Sequence, residues 1–169
     1  MKIRHGEASD APLLAALARQ TFVDTFAPTS DPGDMAIHLE RAYGVAQQAE
    51  ELADPHIVTL LVEIDGKAIG YAQVREGKVP ECVAGARPIE LWRFYVLRQW
   101  HGQGIAQALM ERVRAEAAAH GAATLWLGVW DQNPRARAFY RKCGLVDAGE
   151  HVFLFGTDPQ RDLVMEAKL

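Results

Sequence analysis

Apolar positions along the chain change period several times, and each change marks the boundary of a predicted strand or helix. The first alternating stretch, at 2–7, predicts a short strand. Asp10 and Pro12 are helix start signals, and the helical period that follows continues to about Phe26, just before Pro28. The N-terminal part of the chain is therefore predicted to form a strand followed by a helix.

A second helix and two strands are predicted in the following segment. They are a helix from the turn signals at 30–33 to about Leu52, a strand at 56–63 and a strand at 67–75. Asp65 and Gly66 stand between the two strands, and an Asp-Gly pair between apolar runs is a strong signal for a β-hairpin. Glycines and prolines at 76–88 predict a loop.

The second half of the chain alternates strands and helices. In order it contains a strand ending at Val96, a helix with Ile105, Leu109 and Val113 on one stripe, a strand at 124–130, a helix from Pro134 to Gly144 and two C-terminal strands. Gly121 is a C-cap signal for the first of these helices. This order of elements predicts an α/β fold, and 169 residues are the length of one domain.

The junction at 96–106, VLRQWHGQGIA, carries the clearest chemical signal. Gly102 and Gly104 allow backbone angles that are closed to other residues, and they leave no side chains in the approach. The amide N–H groups of such a turn can converge on one anion. The helix that begins near Gly104 adds its free N-terminal donors and the positive end of its dipole. The junction is therefore predicted to bind a phosphate group, and a pyrophosphate is the expected ligand.

Two nucleotide-binding motifs do not fit this junction. A dinucleotide fingerprint requires a third Gly or Ala three residues after the second glycine, where the chain has Gln107. A Walker loop ends in Gly-Lys-Ser/Thr, and the junction supplies no lysine. A turn that binds no ligand remains the alternative for an isolated pair of glycines.

The junction closely resembles motif A of the GCN5-related N-acetyltransferase (GNAT) superfamily. That loop reads Gln/Arg, any, any, Gly, any, Gly/Ala, and it binds the pyrophosphate of acetyl-coenzyme A. Counted from the strand end, the pattern falls on His101, Gly102, Gln103, Gly104, Ile105 and Ala106. His101 departs from the Gln or Arg of the pattern, but contacts made by backbone amides do not depend on it. A second register that begins at Gln99 lies two residues too close to the strand.

The downstream segment TLWLGVWDQNPRARAFYRKCGL resembles the next strand and helix of the same superfamily, its motif B. Asn133 followed by Pro134 is a helix start signal, with Asn as N-cap and Pro at the first helical position. Phe139, Tyr140 and Cys143 recur at helical spacing before the glycine that ends the helix. Residues 90–145 carry the specific part of the resemblance.

The resemblance implies a single GNAT-type domain over 1–169, with its acetyl-coenzyme A-binding core at about 88–145. It implies a mixed, mostly antiparallel seven-stranded sheet that is splayed between strands 4 and 5 and flanked by about four helices. The splay leaves backbone groups of Phe94, Tyr95 and Val96 free for the thioester oxyanion and the pantetheine, which predicts a bulge near Arg93 or Phe94. Asn133 is expected to contact the cofactor in addition to capping its helix.

Transfer of an acetyl group to an amine needs a proton acceptor. An amine with a lysine-like pKa of about 10.4 gives up its proton at pH 7 at a cost of about 4.6 kcal/mol. Strand alternation places Glu90 on the same face as Trp92, Phe94 and Val96. A base glutamate of protein-acetylating relatives lies six residues before the strand end, which corresponds to Glu90 here. The alternative is a strand-end glutamate that faces solvent.

Transfer also needs a proton donor for the leaving sulfur. Many members of the superfamily place a tyrosine at the position of Tyr140 for this purpose. A phenol with a pKa of about 10 can donate to a thiolate whose acid has a pKa of about 8.5. A buried helix tyrosine whose hydroxyl merely finds a partner is the alternative.

Composition and charge restrict the partners. The net charge of −4 and the pI of about 5.8 argue against nucleic acid. Cys82 and Cys143 lack a CxxC spacing, so neither a metal site nor a disulfide framework is expected. The N-terminal sequence lacks the apolar stretch of a signal peptide, and no apolar run is long enough to cross a membrane. The expected location is therefore cytoplasmic.

The sequence signals for the amine acceptor are weaker than those for the cofactor. The segments TFVDTF and HVFLFGTDPQRDLVM resemble bacterial acetyltransferases of the spermidine/spermine type, which favours a small-molecule amine, with a polyamine ahead of other acceptors. The first two predicted helices, here called the helical arm, carry Asp24, Asp34, Glu40 and His38, which either face such an acceptor or are surface charges. The loop at 76–88 is expected to border the acceptor. A protein or peptide acetyltransferase and an acyl-coenzyme A sensor without turnover remain alternatives, and a homodimer through the C-terminal strands is compatible with the superfamily.

Overall fold

The computed structural model describes all residues, 1–169, and contains one sheet of seven strands with five α-helices. The strands are β1 (Lys2–His5), β2 (Ile57–Ile64), β3 (Lys67–Arg75), β4 (Pro88–Val96), β5 (Thr124–Trp130), β6 (Val146–Phe155) and β7 (Asp158–Lys168). The helices are α1 (Ala11–Phe26), α2 (Pro32–Ala42), α3 (Val45–Ala53), α4 (Ile105–Ala119) and α5 (Pro134–Lys142). None of the helices is long and apolar enough to cross a membrane.

The sheet has the strand order β1-β2-β3-β4-β5-β7-β6, and only β4 and β5 are parallel neighbours. Their pairing covers three positions and ends where Glu90 lies opposite Trp126. Beyond that point β4 continues to Val96 and β5 to Trp130 without pairing to each other. The seven-stranded mixed sheet and the splay between strands 4 and 5 are therefore confirmed.

A β-bulge lies in β4 at Trp92, one residue before the predicted position. Gln73 of β3 pairs with Arg93, but the next residue of β3 pairs with Leu91, so that Trp92 is the extra residue. The bulge also overturns a prediction about side-chain direction. Phe94 and Val96 pack on the same core as Leu91, whereas Glu90 lies on the opposite face with Arg93. An extra residue reverses the in-out alternation of a strand, and strict alternation from Glu90 could not foresee this.

Two hydrophobic cores occupy the two faces of the sheet. The core beneath α4 contains Leu109 and Val113 together with residues of the central strands, and Phe139 and Tyr140 of α5 pack at its margin. The core on the opposite face joins α1 and α2 to the sheet through residues such as Leu14, Phe22 and Leu39. The splay between β4 and β5 is the gap in the sheet that connects these two faces.

The single helix predicted from 33 to about Leu52 is wrong, because the chain forms two helices there and five α-helices in all. Tyr43 ends α2 and is buried, and Gly44 has an extended conformation before α3 begins. The Gln48 side chain donates to the Ala42 carbonyl across the break at 2.9 Å. The change of direction lets α2 contribute to the apolar core while α3 places polar side chains, Gln48 and Glu51, against the sheet.

Candidate active site

A cavity of about 1030 Å³ occupies the splay. Its walls come from both faces of the sheet: the glycine loop and α5 on one side, and α1, α2 and the β6–β7 hairpin on the other. Of the residues predicted for the site, those that line it are Glu90, Phe94, Tyr95, Val96, His101, Gly102, Gly104, Ala106, Asn133 and Tyr140. The cavity therefore joins most of the predicted cofactor site to a chamber on the opposite face.

Two predicted residues do not line this cavity. The Gln103 amide donates to the Gln99 carbonyl at 3.2 Å, and the Ile105 side chain is buried in the core beneath α4. Only the backbone N–H groups of these two residues remain for the loop site.

The glycine loop has the backbone conformation that an anion site requires. Gly102 and Gly104 both have φ of 80°, in the left-handed region, and no atom lies within 4 Å of the position that a Cβ would take at either residue. Gly104 is the N-cap of α4 and has no side chain to bond to the first N–H groups of the helix. Gly104, Ala106 and Gln107 line the cavity, so an anion bound there can accept from these N–H groups.

His101 lies between two partners at this loop. Its Nε2 is 2.7 Å from the Val96 carbonyl oxygen, and Nη2 of Arg135 is 2.6 Å from its Nδ1. Burial, together with the nearby Arg135 and Arg98, lowers the pKa of His101, although the bond to Val96 acts in the opposite direction. Arg135 was not among the predicted site residues, since its place in α5 signals only a charged helix position.

The loop side of the cavity is electropositive. Arg98, Arg135 and Lys142 all line it, and no carboxylate lines it on this side. Positive side chains around free helix N–H groups suit a ligand with several phosphate charges.

Tyr140 lies in an aromatic wall of the cavity. Its ring meets Phe94 edge-on at 6.3 Å and Phe139 at 5.5 Å between centroids. Burial raises the pKa of the Tyr140 phenol above its ordinary value, and the nearby Cys143 acts in the same direction. The hydroxyl therefore keeps its proton at neutral pH and can serve as a donor.

Asn133 caps α5 as the sequence predicts. Its Oδ1 accepts from the Ala136 amide N–H at 3.1 Å, and Pro134 is the first residue of the helix. The cap fixes the start of the helix that carries Tyr140 toward the cavity.

Glu90 lies at the last paired position of β4, where the splay begins. Its Oε2 accepts from Arg75 Nε at 2.5 Å, and its side chain is 11% exposed. The Glu90 carboxylate is therefore an ion-paired group at the cavity wall rather than a glutamate that faces solvent. Its partner Arg75 also stacks on Trp92, and Arg93 stacks on the same ring, with Arg75 Cζ 3.7 Å and Arg93 Cζ 3.8 Å from the ring centroid.

His151 and Asp162 are cavity residues that sequence reasoning missed. They face each other on β6 and β7, with Nε2 of His151 3.9 Å from Asp162 Oδ2. Burial lowers the pKa of His151, although Glu90 raises it, and burial together with Asp131 raises the pKa of Asp162 to about 6. A lone His and a lone Asp on two predicted strands gave no signal that they would meet.

Gly128 accommodates this histidine. A Cβ at Gly128 would lie 2.7 Å from Nε2 of His151, which is closer than real contacts allow. An imidazole of the neighbouring hairpin thus lies close to the β5 backbone at this residue.

The acidic residues of the helical arm have different roles. Asp24 lines the cavity, and so does His38, whose pKa is lowered to about 4 by burial and by Arg93. Asp34 instead accepts from the N–H and the hydroxyl of Thr157, at 2.6 and 2.8 Å, and so joins α2 to the β6–β7 turn. Glu40 does not line the cavity.

The loop at 76–87 does not line the cavity either, contrary to expectation. It packs instead against β6, where a Cβ at Gly149 would lie 2.5 Å from Cβ of Cys82. Aromatic side chains of the arm and the hairpin take its place around the chamber, namely Phe22, Phe26, Trp130, Phe153 and Phe155.

Known proteins resemble this chain over nearly its whole length. The model of the acetyltransferase (GNAT) family matches residues 19–145. An uncharacterized N-acetyltransferase of Mycobacterium bovis is 37% identical over 95% of this chain and 99% of that protein, and one of Lactobacillus delbrueckii is 30% identical over 100% and 98%. The paiA N-acetyltransferase of Thermoplasma acidophilum, solved in complex with coenzyme A, has a TM-score of 0.78 and 22% identity over 99% and 98% of the two chains. The chain belongs to the acetyltransferase (GNAT) family.

Proposed function

We propose that this protein transfers the acetyl group of acetyl-coenzyme A directly to a primary amine of a small molecule, within a complex of the enzyme with both substrates. The observation that carries the proposal is the cavity at the splay, where Tyr140 lies beside unpaired β4 backbone and a glycine loop with free N–H groups. The coenzyme A bound to the Thermoplasma acidophilum protein of the same fold supports this cosubstrate.

In this proposal, the two substrates bind on the two sides of the cavity. The phosphates of the cosubstrate bind on the electropositive side, at Gly102 and Gly104, and the thioester extends along Phe94 to Val96. The amine enters from the chamber of α1, α2 and the hairpin. This arrangement brings the amine to the thioester at the point where β4 and β5 separate.

The reaction is a nucleophilic substitution at the thioester carbonyl. The amine nitrogen forms a bond to the carbonyl carbon, β4 backbone N–H groups stabilise the oxyanion, and the carbon–sulfur bond then breaks. Tyr140 donates its proton to the departing thiolate, and Glu90 accepts the proton of the amine, directly or through water. The products are an N-acetylated amine and coenzyme A with a free thiol.

The chamber favours a cationic acceptor. Asp24 and Asp162 line it, and neither forms an ion pair with an arginine or lysine. A polyamine, with several ammonium groups along an apolar chain, suits both these carboxylates and the aromatic walls.

A panel of amines tests the function. We expect release of coenzyme A thiol from acetyl-coenzyme A with spermidine or spermine, measured beside lysine, an aminoglycoside and an N-terminal peptide. Turnover with the peptide alone would replace the small-molecule acceptor by a protein. Binding of acetyl-coenzyme A without turnover on any amine would favour a sensor, and the absence of binding would contradict the assignment of the loop.

Replacing Glu90 by glutamine is expected to lower kcat/KM for the amine by about 10²-fold or more. A glutamine side chain cannot accept the proton of the amine, so the variant should lose the contribution of the base to the rate. Initial rates of thiol release at a series of amine concentrations measure the effect. Glu63→Gln is a matched control, because Glu63 is also paired with an arginine, Arg4, but lies outside the cavity. A variant with the wild-type kcat/KM would remove Glu90 as the base.

A further inference from the structure

Side chains from two separate motifs meet at the glycine loop. The Val96 carbonyl, the His101 ring and the Arg135 guanidinium form a chain of two hydrogen bonds, of 2.7 and 2.6 Å. This chain runs from the end of β4, through the loop, to the first turn of α5. Both His101 and Arg135 line the cavity beside Gly102 and Gly104.

The partners of His101 determine its protonation state. A carbonyl oxygen only accepts hydrogen bonds and a guanidinium only donates them. Nε2 must therefore carry the proton and Nδ1 must accept, which describes a neutral imidazole. The charged groups that face the ring are Arg135 from α5 and Arg98 from the turn after β4, and both lower its pKa.

Arg135 is held in place by a neutral partner, so that no carboxylate offsets its positive charge. Another arginine of α5, Arg141, pairs with Asp147 at 2.7 Å, but Arg135 forms no ion pair and bonds only to the neutral ring. The guanidinium has five donors, so most remain free for another acceptor. A cation fixed beside open backbone N–H groups is suited to an anion with several oxygens, such as a pyrophosphate.

We propose that His101 is a positioning residue that, in its neutral form, holds Arg135 so that the guanidinium binds the pyrophosphate of coenzyme A. The inference rests on the proposed function, because it takes coenzyme A as the ligand. Protonation of His101 places an N–H at Nδ1 against the N–H groups of Arg135, which ends their contact. Affinity for coenzyme A therefore falls when the pH is lowered through the pKa of His101.

Calorimetric titration of the full chain with coenzyme A, between about pH 5 and 8, tests this relation. At the upper pH, Arg135→Ala should weaken binding by about tenfold or more, as expected for loss of a charge-assisted contact. His101→Ala should weaken it similarly, and the double variant should bind no more weakly than Arg135→Ala, because both residues act through one contact. Arg141→Ala, an exposed arginine of the same helix outside the cavity, should bind as the wild type does.

His101→Gln separates positioning from a merely structural role. The glutamine amide can donate to Val96 and accept from Arg135, as the neutral ring does, but it does not titrate. This variant should keep the wild-type affinity at the upper pH and should lose less affinity on acidification. The titration of the phosphates of coenzyme A itself is common to all variants and cancels in the comparison.

The outcomes distinguish failure of the proposed function from failure of the positioning role of His101. No binding of coenzyme A by the wild type would overturn the proposed function itself. Wild-type binding with Arg135→Ala unchanged would overturn the positioning alone. The same holds if His101→Gln keeps the full wild-type pH dependence. Tighter binding on acidification would show that His101 acts as a cation, and this would also overturn the positioning.

Discussion

Replacing Tyr140 by phenylalanine is expected to lower kcat for acetyl transfer by about 10²- to 10⁴-fold while affinity for coenzyme A stays nearly unchanged. The thiolate leaves poorly without a proton, and the Tyr140 phenol is the group in the aromatic wall that can supply one. Its pKa is raised by burial, so the proton is present at neutral pH. Phenylalanine keeps the ring contacts with Phe94 and Phe139 and removes only the hydroxyl.

The rate of thiol release and a separate binding titration measure these two quantities. Tyr71→Phe is a matched control, since Tyr71 is a fully buried tyrosine that does not line the cavity. That control should retain the wild-type rate. Full activity in Tyr140→Phe would show that the acid is another group or water. Equal loss of rate and of coenzyme affinity would instead indicate a packing role for the tyrosine.

Replacing Glu51 by alanine is expected to destabilise the protein by about 3–5 kcal/mol, because it leaves the buried Arg93 charge without its counter-ion. The Arg93 side chain is 6% exposed and the Glu51 side chain 4%. Arg93 Nη1 donates to Glu51 at 2.5 Å and to Gln73 at 2.7 Å, and Nη2 donates to Glu51 at 3.2 Å. Gln73 in turn donates to Glu51 at 3.1 Å, so the carboxylate joins α3 to two central strands.

Urea unfolding of the wild type and the variant measures the difference in the free energy of unfolding. Asp147→Ala is the control, because its partner Arg141 and Asp147 itself are about half exposed, and an exposed ion pair contributes about 1 kcal/mol or less. We also expect reduced activity in Glu51→Ala, since Arg93 stacks on Trp92 at the bulge that shapes the cavity. A loss no larger than that of the control would mean that water or another group compensates Arg93.

Much of the fold could be predicted because its signals are local. The Asp65-Gly66 hairpin forms as expected, with positive φ at both residues, and Asn133 caps α5 through its own side chain. Each of these features depends on residues that are adjacent or nearly adjacent in sequence. The family resemblance, carried by the glycine loop and motif B, is confirmed by the family model that matches 19–145.

The two structural features that were predicted wrongly have a common physical cause. Phe94 and Val96 were assigned to the face of Glu90, but the bulge at Trp92 reverses the alternation between them. The helix break at Gly44 was missed because a lone glycine inside a helical pattern is often tolerated. In both places packing against distant elements outweighs the local pattern.

The sequence by itself determined the order of the strands along the chain, the helix boundaries at Pro28 and Gly121 and the glycine turn before α4, since backbone geometry responds to residues close by. Only the tertiary structure decided which polar groups meet. Arg93 bonds to Glu51, 42 residues away in the sequence, and His101 bonds to Arg135, 34 residues away. Such contacts arise when sheet pairing and core packing bring remote elements together, and a lone charged residue carries no information about the partner it will reach.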